Sequence, residues 1–189
     1  MKLNRNVLSE TCFGGALTQC ATALTKNFSV LIKAGIITIS DRASTGQYED
    51  TAGPALAKAV EQLGWTLIER CTVPDDKRQI QEAVNSLEQR GCKLILTTGG
   101  TGISHRDVTP EALREIMHVE LPGFGETMRS ESMKLTKNAI LSRSLAAVVG
   151  RAIVIALPGK PSGAVECLGF VAGAIPHAVA LVSGEPTTC

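Results

Sequence analysis

Aromatic residues are scarce in this chain. Phe, Trp and Tyr make up 3% of its 189 residues, which leaves few flat faces on which the bases of a single strand could stack. Excess charge of either sign is missing as well: 19 Lys and Arg stand against 18 Asp and Glu, so no basic surplus drives counterion release from DNA or RNA. A nucleic-acid partner is therefore not expected. The six cysteines (Cys12, Cys20, Cys71, Cys92, Cys167 and Cys189) are scattered, with no C-x-x-C pair to suggest a zinc site or a thioredoxin-like redox motif. They fit reduced thiols in a reducing compartment, with Cys71 and Cys167 serving as small hydrophobes inside apolar runs. No stretch approaches the ~18 to 20 consecutive apolar residues of a membrane span, so a soluble, cytoplasmic protein is expected.

What is present fits one domain. Hydrophobic residues at 44% supply a core, and a chain of this length buries about 70% of its extended surface. Residues 1–28 hold a single acid, Glu10, beside Lys2, Arg5 and Lys26, and lack the compact apolar run of a secretory signal. They read as an extension, and residues 29–189 as the domain.

From Val30 onward, short β-branched runs alternate with segments of helical period, which predicts an α/β fold of three layers, α/β/α, around a mostly parallel sheet. A first strand at 35–39 runs into a polar loop at 40–46. Gly53-Pro54 opens a helix with Leu56, Ala59, Val60 and Leu63 on its buried face, ended by Gly64. A second strand spans 66–73. Asp76 and Gln79 have the spacing of a capping box, ahead of Ile80, Ala83, Val84 and Leu87. The third strand, 94–98, is nearly all apolar, as a strand covered on both faces must be, and Thr109 and Pro110 read as the N-cap and first residue of the next helix. Residues 145–149 and 152–156 flank Gly150-Arg151 as a hairpin, which places an antiparallel element at one edge. A last helix starts near Pro161 and stops or kinks at Pro176.

Ligands of open α/β sheets bind beyond the carboxyl ends of the strands, and three polar loops, 40–50, 74–76 and 99–109, fall there. Gly99-Gly100-Thr101-Gly102 is the principal candidate, because glycines let backbone N–H groups come close to phosphate oxygens. It is not a Walker A loop, since no Gly-Lys-Ser/Thr follows, and His105 occupies the position where a dinucleotide fingerprint needs its third small residue. A tight strand-to-helix turn is the plainer alternative. Asp107 shifts the balance: a carboxylate beside phosphates repels them unless a divalent cation lies between, and Mg²⁺ commonly takes one or two carboxylates plus substrate phosphates. Asp50 and Asp75, on the other loops, are candidates to join it, with Asp41 a further one.

Thr98 to Gly102, followed by Arg106-Asp107-Val108-Thr109-Pro110-Glu111, closely resembles the molybdopterin-binding domains of molybdenum-cofactor biosynthesis. The resemblance extends to Ser40-Asp41-Arg42-Ala43-Ser44, Tyr48-Glu49-Asp50, Val73-Pro74-Asp75, Pro122 to Glu126, Leu141-Ser142-Arg143 and Leu157 to Pro161, or roughly residues 33 to 184. Within that family the chain looks like the stand-alone adenylyltransferase branch, related to the G domains of gephyrin-like proteins. That branch implies transfer of AMP from ATP to the terminal phosphate of molybdopterin, with Mg²⁺ and release of pyrophosphate, and a homotrimer that hands its product to a molybdate-insertion enzyme.

The resemblance assigns catalytic roles to Asp75 and Asp107, which with Asp50 also form the expected metal set. Ser40, Asp41, Gly99, Gly100, Thr101, Gly102, Pro158 and Gly159 become nucleotide or pterin contacts. Ser132 and Ser142 are either pterin-side donors or bonded to local backbone. Lys160 departs from the family pattern, where a smaller polar residue is common, and either meets phosphate or faces water. Two other readings stand beside this one: a molybdopterin-binding scaffold without ATP turnover, and a molybdate-insertion relative, for which the chain is short.

Overall fold

The computed structural model describes residues 31–184. The expected extension, and Cys12, Cys20 and Cys189 with it, lie outside them. Six strands form one sheet in the order β2-β1-β3-β6-β5-β4. They are β1 Lys33–Ile39, β2 Thr66–Val73, β3 Leu94–Thr98, β4 Val119–Glu120, β5 Ala146–Val149 and β6 Ala152–Leu157. The pairings β1 with β2, β1 with β3 and β3 with β6 are parallel, whereas β5 runs antiparallel to both β6 and β4. The α/β reading and its antiparallel edge therefore hold. The outermost strand on that side is the two-residue β4, which the sequence does not announce.

Helices cover both faces. On one lie α2 Ala52–Gln62, α5 Pro122–Met133, α6 Pro161–Val171 and α7 Ile175–Ser183; on the other lie α3 Lys77–Gln89 and α4 Thr109–Ile116. A short helix α1, Asp41–Ser44, follows β1 directly. The period-2 rule divides the sheet cleanly: Ile36, Leu94, Leu96, Ile153 and Ile155 enter the first core, while Ile37, Ile95, Val154 and Ala156 enter the second. Every residue of β3 and of β6 is buried, which explains the apolar run of β6 and of Leu94-Ile95-Leu96 in β3.

The details correct several expectations. Leu63 is 40% exposed, because α2 ends at Gln62 and the chain turns away at Gly64, whose φ is +75°. Thr109 is no N-cap. Val108 holds that position, and the Thr109 hydroxyl donates to Gly99 O at 2.9 Å, tying the helix to the glycine loop. Asp76 does cap α3, its side chain accepting from Gln79 N at 2.9 Å.

Pro161–Ser183 spans 23 residues and contains an 18-residue window with a mean hydropathy of 1.8, enough by length and composition alone to cross a bilayer. It is interrupted by a 3₁₀ turn at Ala172–Ala174, just before Pro176, and it buries Ala164, Leu168, Val171, Ile175 and Val179 against the sheet. This is the pattern of a core layer. The strict count of consecutive apolar residues passes over it, since Glu166 and His177 interrupt the run.

Candidate active site at the carboxyl edge of the sheet

Register decides which loops meet. Ile39 pairs with Val73, Thr38 with Thr98, and Thr98 with Leu157, so four parallel strands end level with one another. The loops that begin at Ser40, Pro74, Gly99 and Pro158 consequently share one edge. The crossover through α2 leaves β1 on one face and the crossover through α3 returns on the other, which opens a crevice between β1 and β3.

Asp41 and Asp75 face each other there. Asp41 N donates to the Asp75 carboxylate and Asp75 N to the Asp41 carboxylate, each at 3.0 Å, a reciprocal pair that fixes the first two loops. Asp107 joins them around a cavity of about 120 Å³ lined also by Ser40, Ser104 and Arg106. Burial pushes the Asp75 carboxyl above its ordinary range; the Asp41 amide opposes that shift, the Asp41 and Asp107 charges add to it, and Arg106 offsets part. The Asp107 carboxylate accepts from Ser104 N at 2.7 Å, which folds the 102–107 segment back on itself.

The donor set here is hard oxygen, suited to Mg²⁺. Among the described residues no group of three or more His, Cys, Asp or Glu could hold a metal ion. Three carboxylates, Asp41, Asp75 and Asp107, line the small cavity, and a cation there would take its remaining ligands from phosphates and water. Asp50 is not brought to them. Its carboxylate accepts from Thr38 Oγ1 and from Gly53 N, both at 2.9 Å, and so fastens the entry of α2 to β1.

The glycine loop is tightly held. Gly99 and Gly100 have φ of +107° and +60°, which L side chains rarely adopt. A Cβ on Gly99 would strike Ile39 O, and one on Gly100 would strike Thr109 Oγ1 and lie 3.3 Å from Asp75 Oδ1. Thr98 Oγ1 donates to Pro158 O at 2.7 Å, and Thr101 Oγ1 to Leu157 O at 3.4 Å, which lashes the loop to the Pro158-Gly159 turn.

Two larger cavities flank this turn. One, of about 650 Å³, runs from Gly100–Gly102 under α5 and the 3₁₀ helix Lys137–Leu141 to α6. The other, of about 450 Å³, is lined by Ser40, Arg42, Tyr48, Asp50 and Gly99. Gly159 and Lys160 line both. Ser132 reaches the larger cavity, with its hydroxyl 3.5 Å from Cys167 Sγ. Ser142 lines it too, but its hydroxyl donates to Ser144 Oγ at 3.0 Å and accepts from Ser144 N at 3.3 Å, the local bonding that is its plainer alternative.

Sequence reasoning passes over Arg129, Glu166 and Arg143. Arg129 donates to Ser144 O at 2.8 Å, and Glu166 sits on the cavity wall; neither belongs to a motif whose spacing suggests a role. Arg143 lies inside the Leu141-Ser142-Arg143 motif, but nothing in that motif announces its contacts with a loop some forty residues earlier.

Level strand ends, a glycine loop, paired carboxylates and adjoining cavities define a three-layer α/β fold with its candidate ligand site at the topological switch point. Residues 35–177 match the family described as "Probable molybdopterin binding domain". The chain is 40% identical over 157 residues to a molybdopterin adenylyltransferase of Helicobacter pylori (strain J99), covering 82% of this chain and 89% of that one. It is 37% identical over 162 residues to gephyrin of Dictyostelium discoideum, covering 80% of this chain and 23% of that longer protein. Among solved structures, the molybdopterin biosynthesis enzyme MoaB of Thermus thermophilus superposes with a TM-score of 0.77 at 39% identity, over 83% of this chain and 99% of that one. The tungsten cofactor synthesizing protein MoaB of Pyrococcus furiosus does so with 0.75 at 31%, over 82% and 98%. The chain belongs to the MoaB/MogA family of molybdopterin-binding proteins of molybdenum-cofactor biosynthesis.

Proposed function

We propose that the chain transfers AMP from ATP to the terminal phosphate of molybdopterin, giving adenylyl-molybdopterin and pyrophosphate. The observation that carries this reading is the pair of cavities meeting at Gly159-Lys160, directly above the glycine loop and beside Asp75 and Asp107. Two substrates that must exchange a phosphoryl-linked group need such adjoining chambers, with their phosphates at the shared wall. In the transfer, an oxygen of the molybdopterin phosphate forms the new bond to the α-phosphorus of ATP. The bond from that phosphorus to the bridging oxygen breaks, and pyrophosphate leaves with the electron pair.

No general base is required, because a phosphate monoester is already largely ionised near pH 7. The work of the protein is to orient and to neutralise. Backbone groups of Gly99–Gly102 orient phosphate, Lys160 meets the polyphosphate from the opposite wall, and Asp75 and Asp107 hold Mg²⁺, which supplies charge neutralisation of the leaving group when bound. The half-buried Asp75 carboxyl, raised by burial and by its acidic neighbours, is a group that a cation would relieve. In this reading residues 29–189 are the catalytic unit, acting in the cytoplasm as a homotrimer that passes its product to a molybdate-insertion enzyme.

Purified protein mixed with ATP, Mg²⁺ and molybdopterin should yield adenylylated molybdopterin by mass spectrometry, with pyrophosphate in equal amount. Molybdopterin binding without any ATP-dependent product would replace this reading with that of a scaffold. Product formed only with molybdate, and without the adenylylated species, would point to metal insertion.

A further inference from the structure

Arg143 lies behind Asp107, on a separate small cavity lined also by Ile103, Ser104 and Glu111; it touches neither the Asp75 nor the Asp107 carboxylate, yet it grips the loop that carries Asp107 at both ends. Its main-chain N–H donates to Thr101 O at 2.9 Å and its Nε to Gly102 O at 2.6 Å. Its Nη2 donates to Asp107 O, and its Nη1 pairs with Glu111 in the first turn of α4. One half-buried guanidinium thus joins the start of the 101–107 loop, its end, and the helix that follows. Arg143 also compensates the charge of Glu111, whose second carboxylate oxygen, Oε2, is buried without a hydrogen-bond partner among the described residues.

We propose that Arg143 is a positioning residue for the adenylyl-transfer site, holding Asp107 in the orientation in which it faces Asp75. Thr101 and Thr109 anchor the ends of this loop to Leu157, Gly99 and Gly100, but between them the Asp107 carboxylate is bonded, among the described residues, only within the loop, to Ser104 N, and that bond does not fix the 102–107 stretch against the rest of the molecule. Fixing Gly102 O and Asp107 O to one rigid planar group removes that freedom. A lysine could not substitute, because a single ammonium on a flexible stem cannot meet two carbonyls and a carboxylate in fixed directions.

The kinetic part of this inference rests on the proposed reaction; the structural part does not. Hydrogen exchange in the full chain, comparing wild type with Arg143→Lys, should show amides of residues 101–107 exchanging about tenfold faster or more, with those of β3 and β6 unchanged. In the same variant kcat should fall by about 10- to 100-fold while KM for molybdopterin moves by less than about threefold, since misplacement costs rate before it costs binding in the remote cavity. Wild-type exchange at 101–107 in a folded Arg143→Lys protein overturns the proposal, as does loosening at 101–107 with an unchanged kcat. If Arg143→Lys does not fold, Glu111→Gln, which keeps the carbonyl contacts, should fold and loosen the loop to a lesser degree. Failure of both variants to fold would make Arg143 a folding residue and end the proposal. Absence of adenylylated product from wild type would defeat the proposed reaction, and the exchange result would still decide whether Arg143 holds the loop.

Discussion

Asp107 and Asp75 carry different burdens at the residue scale. Asp107 is folded onto its own loop through Ser104 N, with that loop tied to Arg143 at Gly102 O and Asp107 O, whereas Asp75 is locked directly to Asp41. Asp107→Ala should lower turnover by about 10² or more while thermal unfolding shows an intact fold, the scale lost on removing one preorganised electrostatic group. A folded variant with normal product formation would remove Asp107 from the chemistry. For Asp75 the direction of its pKa shift fixes the pH behaviour. Because the folded value is raised, its contribution to stability is present in acid and is lost as pH rises through that value. Cation binding has the opposite dependence, since protons compete with the metal for the carboxylate. The acid limb of Mg²⁺-dependent ATP binding should therefore lie above the ordinary aspartate value of about 3.9, and Asp75→Asn should abolish it. Calorimetric titrations across the acid range would decide; a limb at the ordinary value, or one that persists in the Asn variant, would assign it elsewhere.

The glycine loop shows how an element can serve structure and ligand together. A sequence reading of Gly99–Gly102 reserves the space at Gly100 for phosphate. A Cβ at Gly100 would also meet Thr109 Oγ1 and lie 3.3 Å from Asp75 Oδ1, at a backbone φ of +60°, so the glycine serves the fold as well. Gly100→Val should accordingly lose about 1–3 kcal/mol of folding stability from strain as well as ATP affinity, rather than affinity alone. Thermal unfolding beside calorimetric ATP binding separates the two; unchanged stability would restore the purely ligand-facing account. The neighbouring helix α5 is the reverse case. Its segment Pro122–Met133 is legible as a motif and not as a helix, because it buries only Gly125 and Met128 and so shows little apolar periodicity. Yet it walls the larger cavity through Met128, Arg129 and Ser132.

At the scale of the whole molecule, the described domain is closed around two cores from Ile32 to Val179, and the family match begins at residue 35. Removal of residues 1–28 should leave a folded, active protein with a melting temperature within a few degrees of the full chain, as expected when every matched motif lies beyond the cut. Precipitation, or a change in assembly size by light scattering, would show that the segment packs on the domain. Period-2 and 3.6-residue patterns, with Gly and Pro as punctuation, made β1, β2, β3, α2, α3 and the β5–β6 hairpin readable, because each element must bury one face whatever the rest of the chain does. The same logic located the loops, since polar, turn-forming residues at the end of a parallel strand have nowhere to go but the carboxyl edge. Which of those loop residues meet was beyond it. Asp50 and Asp75 look alike in sequence, but only Asp75 lies within reach of Asp107; Asp50 is held by Thr38 and Gly53 at the foot of α2. Arg143 reaches back across some forty residues to close a loop that carries no local mark of needing it. Local sequence specifies elements because their hydrogen bonds and periodicity are local, whereas a site is a set of distances between loops, and those are set by sheet register and by long side chains that only the packed molecule brings together.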